Sequence, residues 1–149
     1  MSKILLCPKE NLEADLSTKT YIVTGTTSGI GLEVVTQLAR QSATIIRASR
    51  NLDALKKTTE NISDNTSNNK IHFMHLDLTS LKSVKSFVNN FLNKFSTLDG
   101  LVNNAAIMFG PEKKTIDGNE IQLSTNYLGH FLLSELLLPC LLYTSPSPR

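Results

Sequence analysis

Residues 24–31 read Thr24-Gly25-Thr26-Thr27-Ser28-Gly29-Ile30-Gly31. They follow a short β-branched and aromatic run, Tyr21-Ile22-Val23, and lead into an amphipathic segment that ends near Arg40. Glycines let backbone N–H groups approach an anion closely. A helix that starts at such a turn also directs its positive end toward the anion. A strand, a glycine turn and a helix in this order therefore predict a nucleotide-binding α/β protein.

The composition indicates one globular domain. Of the 149 residues, 40% are hydrophobic and 19% are charged, which is typical neither of a disordered chain nor of a membrane protein. The formal charge of +2, with no block of like charges, argues against nucleic acid as a partner. Two cysteines, Cys7 and Cys140, give no disulfide framework, so a cytoplasmic location is the simpler interpretation.

The longest apolar stretch, residues 127–143, is interrupted by polar residues and by Pro139. It predicts a buried helix rather than a transmembrane segment, and it leaves peripheral membrane association open.

Strand and helix patterns alternate along the chain. Strands are predicted at residues 21–24, 43–48, 71–76 and 98–103. Helices are predicted at 30–41, 52–62, 81–95 and about 120–138, and an exposed loop at 63–69. This alternation implies right-handed crossovers and a Rossmann-like, doubly wound parallel sheet with helices on both faces. Residues 1–19 are expected to be a polar lead-in to a nucleotide-binding domain at 20–139.

The predicted cofactor contacts lie at the carboxyl ends of the strands, where open α/β sheets bind ligands. The first turn supplies Thr24, Gly25, Thr27, Ser28, Gly29, Ile30 and Gly31. The second strand ends in Ser49-Arg50-Asn51, with no acidic residue to accept from a ribose 2′-hydroxyl. Arg50 offers a planar fork suited to a phosphate, which favours NADP over NAD. The alternative is a solvated arginine at a strand end; Arg47, inside the strand, is a weaker phosphate candidate.

Two further strand ends complete the predicted site. Asp77-Leu78 ends the third strand, where Asp77 either accepts from the adenine amino group or serves as a turn residue ahead of the next helix. Asn103-Asn104-Ala105-Ala106 ends the fourth strand, and its small residues allow the backbone to approach a ligand. No metal site is predicted, because His72 faces opposite to His75 and Asp77 on a strand.

Together these motifs resemble the short-chain dehydrogenase/reductase family. The turn at 24–31, Asp77-Leu78, the run Asn103-Asn104-Ala105-Ala106 and Asn126 match the family in order and spacing, with Ala106 in place of a glycine. Ala48-Ser49-Arg50-Asn51 and the run Asn-Tyr-Leu-Gly-His-Phe-Leu-Leu at 126–133 are similar to the retinol-dehydrogenase-like branch.

The resemblance implies hydride transfer between NADP(H) and a small-molecule carbonyl or alcohol, which is lipid-like in that branch. It assigns a catalytic role to Asn126, which in the family distorts its helix and holds a water in a proton relay to the catalytic lysine. The alternative for Asn126 is a buried helix asparagine at a local kink. The resemblance also leaves a homo-oligomer open for the intact enzyme.

The family's catalytic Tyr-x-x-x-Lys pair does not occur in this chain, since Tyr21, Tyr127 and Tyr143 are followed four residues later by glycine, phenylalanine and serine. The serine-bearing fifth strand is not recognisable either. We therefore expect the N-terminal portion of an oxidoreductase, truncated after about four strands and inactive alone. The alternative is a catalytically dead nucleotide-binding or regulatory module.

Residues 140–149 end in a Pro/Ser pattern that resembles translated adapter sequence. We expect them to be a non-native tail, with a genuine disordered tail as the alternative.

Overall fold

A computed structural model of the protein describes residues 7–110 and 112–144. Within these residues, strands and helices alternate in the predicted order. The strands are β1 (Thr20–Thr24), β2 (Thr44–Ser49), β3 (Ile71–His75) and β4 (Gly100–Val102). The helices are α1 (Lys9–Leu12), α2 (Gly29–Arg40), α3 (Leu52–Thr66), α4 (Leu81–Leu92), α5 (Ile121–Leu123) and α6 (Gly129–Thr144), with a π-helical turn at Ser124–Leu128.

The strands form one parallel sheet in the order β3-β2-β1-β4. In its register, Thr24 lies opposite Ala48 and Ser49 lies opposite His75, so the strands end at a common edge. This arrangement confirms the Rossmann-like fold and places all four predicted ligand-binding segments side by side.

The core has a layer on each face of the sheet, because successive strand residues point to opposite faces. Ile22 of β1 packs in a cluster with buried side chains of α4 and α6. Its neighbour Val23 packs in a second cluster, with Val35 and Ala39 of α2 and Ile62 of α3. Helices therefore cover both faces, as the alternating pattern predicted.

Two predicted helix starts have side-chain caps. Ser80 accepts a hydrogen bond from the Ser83 amide at 3.3 Å and caps α4. Asn51 caps α3 by accepting from the Ala54 amide at 2.9 Å. Because Asn51 follows Arg50 directly, this cap fixes the start of α3 beside the predicted phosphate-binding residue.

The exposed loop expected at residues 63–69 is wrong for most of its length. α3 continues to Thr66, whose hydroxyl donates to the Ile62 carbonyl at 2.7 Å, and Ser67 then adopts a left-handed conformation with φ 55°. Asn68 is buried and donates to the carbonyls of Ala39 and Ala43. Polar composition suggested exposure, but the Asn68 side-chain amide satisfies its own buried donor by bonding to these main-chain carbonyls.

Both ends of the chain carry more helix than expected. The lead-in contains α1, and Gln41 holds it by donating to the carbonyls of Asn11 and Ala14. At the other end, α6 passes through Pro139 and reaches Thr144, whereas the pattern predicted a helix end near residue 138. Residues 1–6 of the lead-in and 145–149 of the expected tail lie outside the described residues. Among the described helices, none has the length and apolarity needed to cross a membrane.

Candidate functional site

A cavity of about 380 Å³ opens at the carboxyl edge of the sheet. The predicted site residues that line it are Gly25, Thr27, Ser28, Arg50, Asp77, Leu78, Asn104, Ala105 and Ala106. It is also lined by residues not predicted to belong to the site: Ala48, Ser49, Leu76, Thr79, Ile107 and Thr125. Several of these residues could have been predicted from the sequence, because they lie directly beside a predicted site residue. The cavity thus joins segments that follow all four strands.

The glycine turn packs directly against the segment that follows β4. Gly25 has φ 67°, and a Cβ atom added to it would lie 2.6 Å from the Cα of Ala105. A Cβ on Gly31 would lie 2.5 Å from Nδ2 of Asn104 and would also collide with the Gly25 carbonyl oxygen. The absence of side chains at these two positions therefore lets the turn and the β4 end approach each other.

Thr24 lies beneath the turn and is fully buried. Its Oγ1 accepts hydrogen bonds from the amides of Asn104 and Ala105, each at 3.0 Å. The Asn104 side-chain amide in turn donates to the carbonyls of Thr24 and Gly25, at 3.0 and 2.9 Å. The ends of β1 and β4 are therefore one hydrogen-bonded unit.

His130 joins this unit from α6. Its Nε2 lies 3.0 Å from the Thr24 hydroxyl oxygen, and the imidazole is buried. Burial lowers the pKa of His130 below its ordinary value of 6.5, and a hydrogen bond with the Asn126 main chain opposes that shift. The imidazole is therefore neutral at physiological pH, and one of its nitrogens can accept a proton. The sequence showed His130 as part of the run at 126–133 that resembles the family, but gave it no role in the site.

The start of α2 is open to an anion. Ser28 occupies the N-cap position, but within the described residues its side chain makes no capping hydrogen bond. The first amides of a helix lack partners within the helix, so an uncapped start leaves donors for a ligand. Gly29 and Ile30 follow at this start, and Ile30 is 77% exposed.

Arg50 is exposed at the cavity wall. In the part of the chain that the structure describes, its guanidinium makes no hydrogen bond or ion pair. An adjoining cavity of about 460 Å³ shares Arg50 and is also lined by Lys113 and Lys114. Three positive residues and one carboxylate residue, Asp77, therefore line this part of the site, and the excess of positive charge would stabilise an anionic ligand group.

Several predicted residues are engaged in local structure. Asn51 caps α3. Asp77 accepts from the amide and hydroxyl of Thr79 through Oδ1, at 2.9 and 2.7 Å, which is the geometry of a turn residue, yet it also lines the cavity. Asn103 does not line it, and its Nδ2 donates to the Ser134 hydroxyl at 3.0 Å.

Asn126 lies in the π-helical turn and is exposed. Its Oδ1 accepts from the Ile107 amide and its Nδ2 donates to the Ile107 carbonyl, both at 2.9 Å. The residue does not line the cavity, whereas Ile107 and the neighbouring Thr125 do. Asn126 therefore fastens the loop after β4 to the turn in the helix.

The residues present fit a dinucleotide in four respects. Three are that the glycine turn has no room for side chains, the start of α2 is uncapped, and Arg50 is available. A fourth is the Thr125 hydroxyl, which is buried without a partner among the described residues. Such an orphaned polar atom calls for a bonding partner. Across residues 7–110 and 112–144, no cluster of three or more metal-ligating side chains occurs.

A family model for short chain dehydrogenase matches residues 19–147. Human retinol dehydrogenase 13 is 40% identical over 141 residues, which cover 95% of this chain and 42% of that protein. The chain therefore spans about two fifths of the length of this relative.

Solved structures agree on the fold. The crystal structure of an uncharacterized protein from Mycobacterium paratuberculosis has a TM-score of 0.71 at 37% identity, over 85% of this chain and 44% of that one. The RhlG/NADP complex of Pseudomonas aeruginosa has a TM-score of 0.76 at 24% identity, over 89% of this chain and 52% of that one. The family model and the human relative show that the chain belongs to the short-chain dehydrogenase family, in its retinol-dehydrogenase-like branch.

Proposed function

We propose that this chain is the NADP-binding portion of an oxidoreductase that transfers a hydride between NADP(H) and a carbonyl or alcohol. The observation that carries the proposal is that one cavity has the uncapped start of α2 and Arg50 in its wall. The helix start suits a pyrophosphate, and Arg50 suits a 2′-phosphate. The RhlG structure, whose name records NADP, has the same fold and adds support.

Each lining segment has a proposed role. The turn with Gly25, Thr27 and Ser28 would hold the pyrophosphate, together with the N–H groups at Gly29, Ile30 and Gly31. Arg50 would hold the 2′-phosphate. Asp77, Leu78 and the orphaned Thr125 hydroxyl would contact the adenine. These segments would be supported by Thr24, Asn51 and Asn103. The residues that would lie along the dinucleotide are Asn104, Ala105 and Ala106. The bound nicotinamide supplies or accepts the hydride, while the protein orients it.

Asn126 is proposed as the residue that organises a proton relay, as the family resemblance implies. The π-helical turn at Ser124–Leu128 supports this role, because such turns interrupt regular helix hydrogen bonding and are frequent at functional sites. The substrate is proposed to be lipid-like, on the strength of the retinol dehydrogenase relative. A cytoplasmic location with optional membrane contact stays a prediction, as does oligomer formation.

The cofactor assignment is tested by calorimetric titration of the chain with NADPH and NADH. Arg50→Ala should weaken NADPH by about 1.5–3 kcal/mol, because it removes charge-assisted bonds to the 2′-phosphate, and should leave NADH nearly unchanged. The matched control is Arg40→Ala, which removes the same charge from an exposed position at the end of α2. Equal losses for both dinucleotides would remove Arg50 from the phosphate site.

Turnover is tested with NADPH and either retinal-type or simple carbonyl substrates. We expect none from these 149 residues, because the sequence contains no Tyr-x-x-x-Lys pair to exchange a proton with the substrate oxygen. A longer reading frame carrying that pair would favour the enzyme over the alternative, a catalytically dead binding module. Robust reduction by this chain would contradict the proposed inactivity.

A further inference from the structure

Arg47 is a fully buried arginine in the middle of β2. Its guanidinium donates five hydrogen bonds, with lengths between 2.6 and 3.3 Å. All the acceptors are uncharged hydroxyl or carbonyl oxygens, so hydrogen bonds rather than an ion pair with a carboxylate hold the side chain. An arginine this well enclosed is not free to present its fork to a ligand.

The five bonds connect two segments of the candidate site. On one side, Nε donates to Oγ1 of Thr26 at 3.3 Å and Nη2 donates to the Thr26 carbonyl at 2.6 Å. Thr26 is itself fully buried in the middle of the glycine turn. Arg47 therefore holds both the main chain and the side chain of that turn residue.

On the other side, Arg47 holds the first turns of α3. Nη1 donates to the Leu55 carbonyl at 3.2 Å and to Oγ1 of Thr59 at 2.7 Å, while Nη2 donates to Oγ1 of Thr58 at 2.7 Å. α3 starts directly after Arg50 and Asn51. The guanidinium thus connects the turn proposed for the pyrophosphate with the helix that follows the segment proposed for the 2′-phosphate.

Arg47 carries a buried positive charge. Among residues 7–110 and 112–144, no carboxylate forms an ion pair with it. Burial lowers the pKa of Arg47 to about 10, so the side chain remains protonated at neutral pH. A buried charge without a counter-ion is unfavourable, and an anion bound nearby would offset that cost.

We propose that Arg47 is the positioning residue of the phosphate turn and the buried counter-charge for the dinucleotide's pyrophosphate. This inference rests on the proposed function. Arg47 does not line the cavity; it acts through Thr26, whose neighbours Gly25 and Thr27 do. The pyrophosphate is common to NADPH and NADH, so Arg47 serves both cofactors equally, whereas Arg50 serves only NADPH.

The test measures calorimetric affinities of the 149-residue chain for NADPH and NADH, with folding followed by circular dichroism. Arg47→Met keeps much of the side-chain length and removes the charge and all donors. We expect both affinities to fall by the same factor, about tenfold or more. Arg47→Lys keeps the charge without the fork and should recover part of both affinities. Val88→Ala, on the buried face of α4, should lower the melting temperature and leave both affinities unchanged.

Unchanged affinities in folded Arg47→Met, or a loss confined to NADPH, would overturn the inference. If that variant does not fold, Thr58→Val decides the question, because it removes one anchor on α3 and keeps Arg47. A parallel loss of about two- to fivefold for both dinucleotides supports the inference, and no loss or a selective loss overturns it.

Failure of the proposed function would be distinguishable. If the unsubstituted chain binds neither dinucleotide, the proposed function fails, and the positioning role is decided by hydrogen exchange in the ligand-free protein. Faster exchange of the amides at 26–31 in Thr58→Val, with no such change in Val88→Ala, supports positioning of the turn. Unaltered exchange in Thr58→Val rejects it.

Discussion

The hydroxyl oxygen of Thr24 lies 3.0 Å from Nε2 of His130. These residues are 106 positions apart in the sequence, and their contact connects the glycine turn to α6. The Thr24 oxygen already accepts from the amides of Asn104 and Ala105, so its own proton is available to a neutral imidazole nitrogen or to the Val102 carbonyl at 3.3 Å.

This contact predicts a pH-dependent stability. Burial lowers the pKa of His130 in the folded chain below 6.5, so the unfolded chain binds a proton more readily as pH falls. The stability that His130 contributes is therefore fully present above pH 6.5 and is lost as pH falls toward its folded pKa. Urea unfolding between about pH 5 and pH 8 spans the ordinary histidine pKa. Over this range, His130→Gln should reduce the loss of unfolding free energy on the acid side.

A second histidine supplies the comparison. His72 is exposed, but desolvation of its ring beside Phe95, and then the nearby charge of Lys94, lower its pKa as well, to an extent that its exposure limits. His72→Gln should therefore remove a separate part of the acid-side loss, and the double variant should remove more than either single one. Identical pH profiles for the unsubstituted chain and His130→Gln would contradict the assigned role of the buried imidazole.

Gly31→Ala should disable the turn. The new Cβ would meet the Gly25 carbonyl and the Asn104 amide, so the backbone has to shift at a cost of about 1–3 kcal/mol. NADPH affinity and the free energy of unfolding should both fall. Gly110→Ala is the matched control, since among the described residues a Cβ there would meet no atom within 4 Å other than those of its chain neighbours. Equal effects of the two substitutions would show that close packing of the turn is unimportant.

Asn126→Ala should release the loop after β4. It removes two hydrogen bonds to the Ile107 main chain, each contributing about 0.5–1.5 kcal/mol. Faster hydrogen exchange at the Ile107 amide should accompany the loss of stability. Asn126→Asp retains an acceptor for that amide but loses the donor, so its amide should stay more protected than in Asn126→Ala. The opposite order would contradict the observed pairing.

Asn68→Ala should destabilise the fold by about 1–3 kcal/mol, because it removes two buried hydrogen bonds, one to the Ala43 carbonyl and one to the Ala39 carbonyl, which also accepts from the Ser42 amide. Asn69→Ala, at the exposed neighbouring position, should change the free energy of unfolding by less than about 0.5 kcal/mol. Chemical denaturation of both variants measures the difference. Similar values for the two would mean that Asn68 does not secure the connection between α3 and β3.

Local sequence patterns predicted much of the fold. The alternation of strands and helices, the cap at Ser80 and the stripe of buried side chains on α4 follow from near-neighbour preferences, and the structure has them. The glycine turn was recognisable because close packing leaves no alternative residue at Gly25 or Gly31. Loop boundaries were less predictable: the polar run at 63–69 does not reveal that Ile62 anchors α3 in the core.

The sequence by itself determined the element order, the phosphate-binding turn and the resemblance to one enzyme family, since each depends on residues close together in the chain. Tertiary structure alone decided which of two nearby arginines is buried and which is free. Strand alternation places Arg47 and Ile45 on one face of β2, but only the packing of α3 on that face encloses the guanidinium of Arg47. Arg50, just beyond the end of the strand, stays exposed at the cavity. Burial depends on what the rest of the chain brings to a position, and no local pattern contains that information.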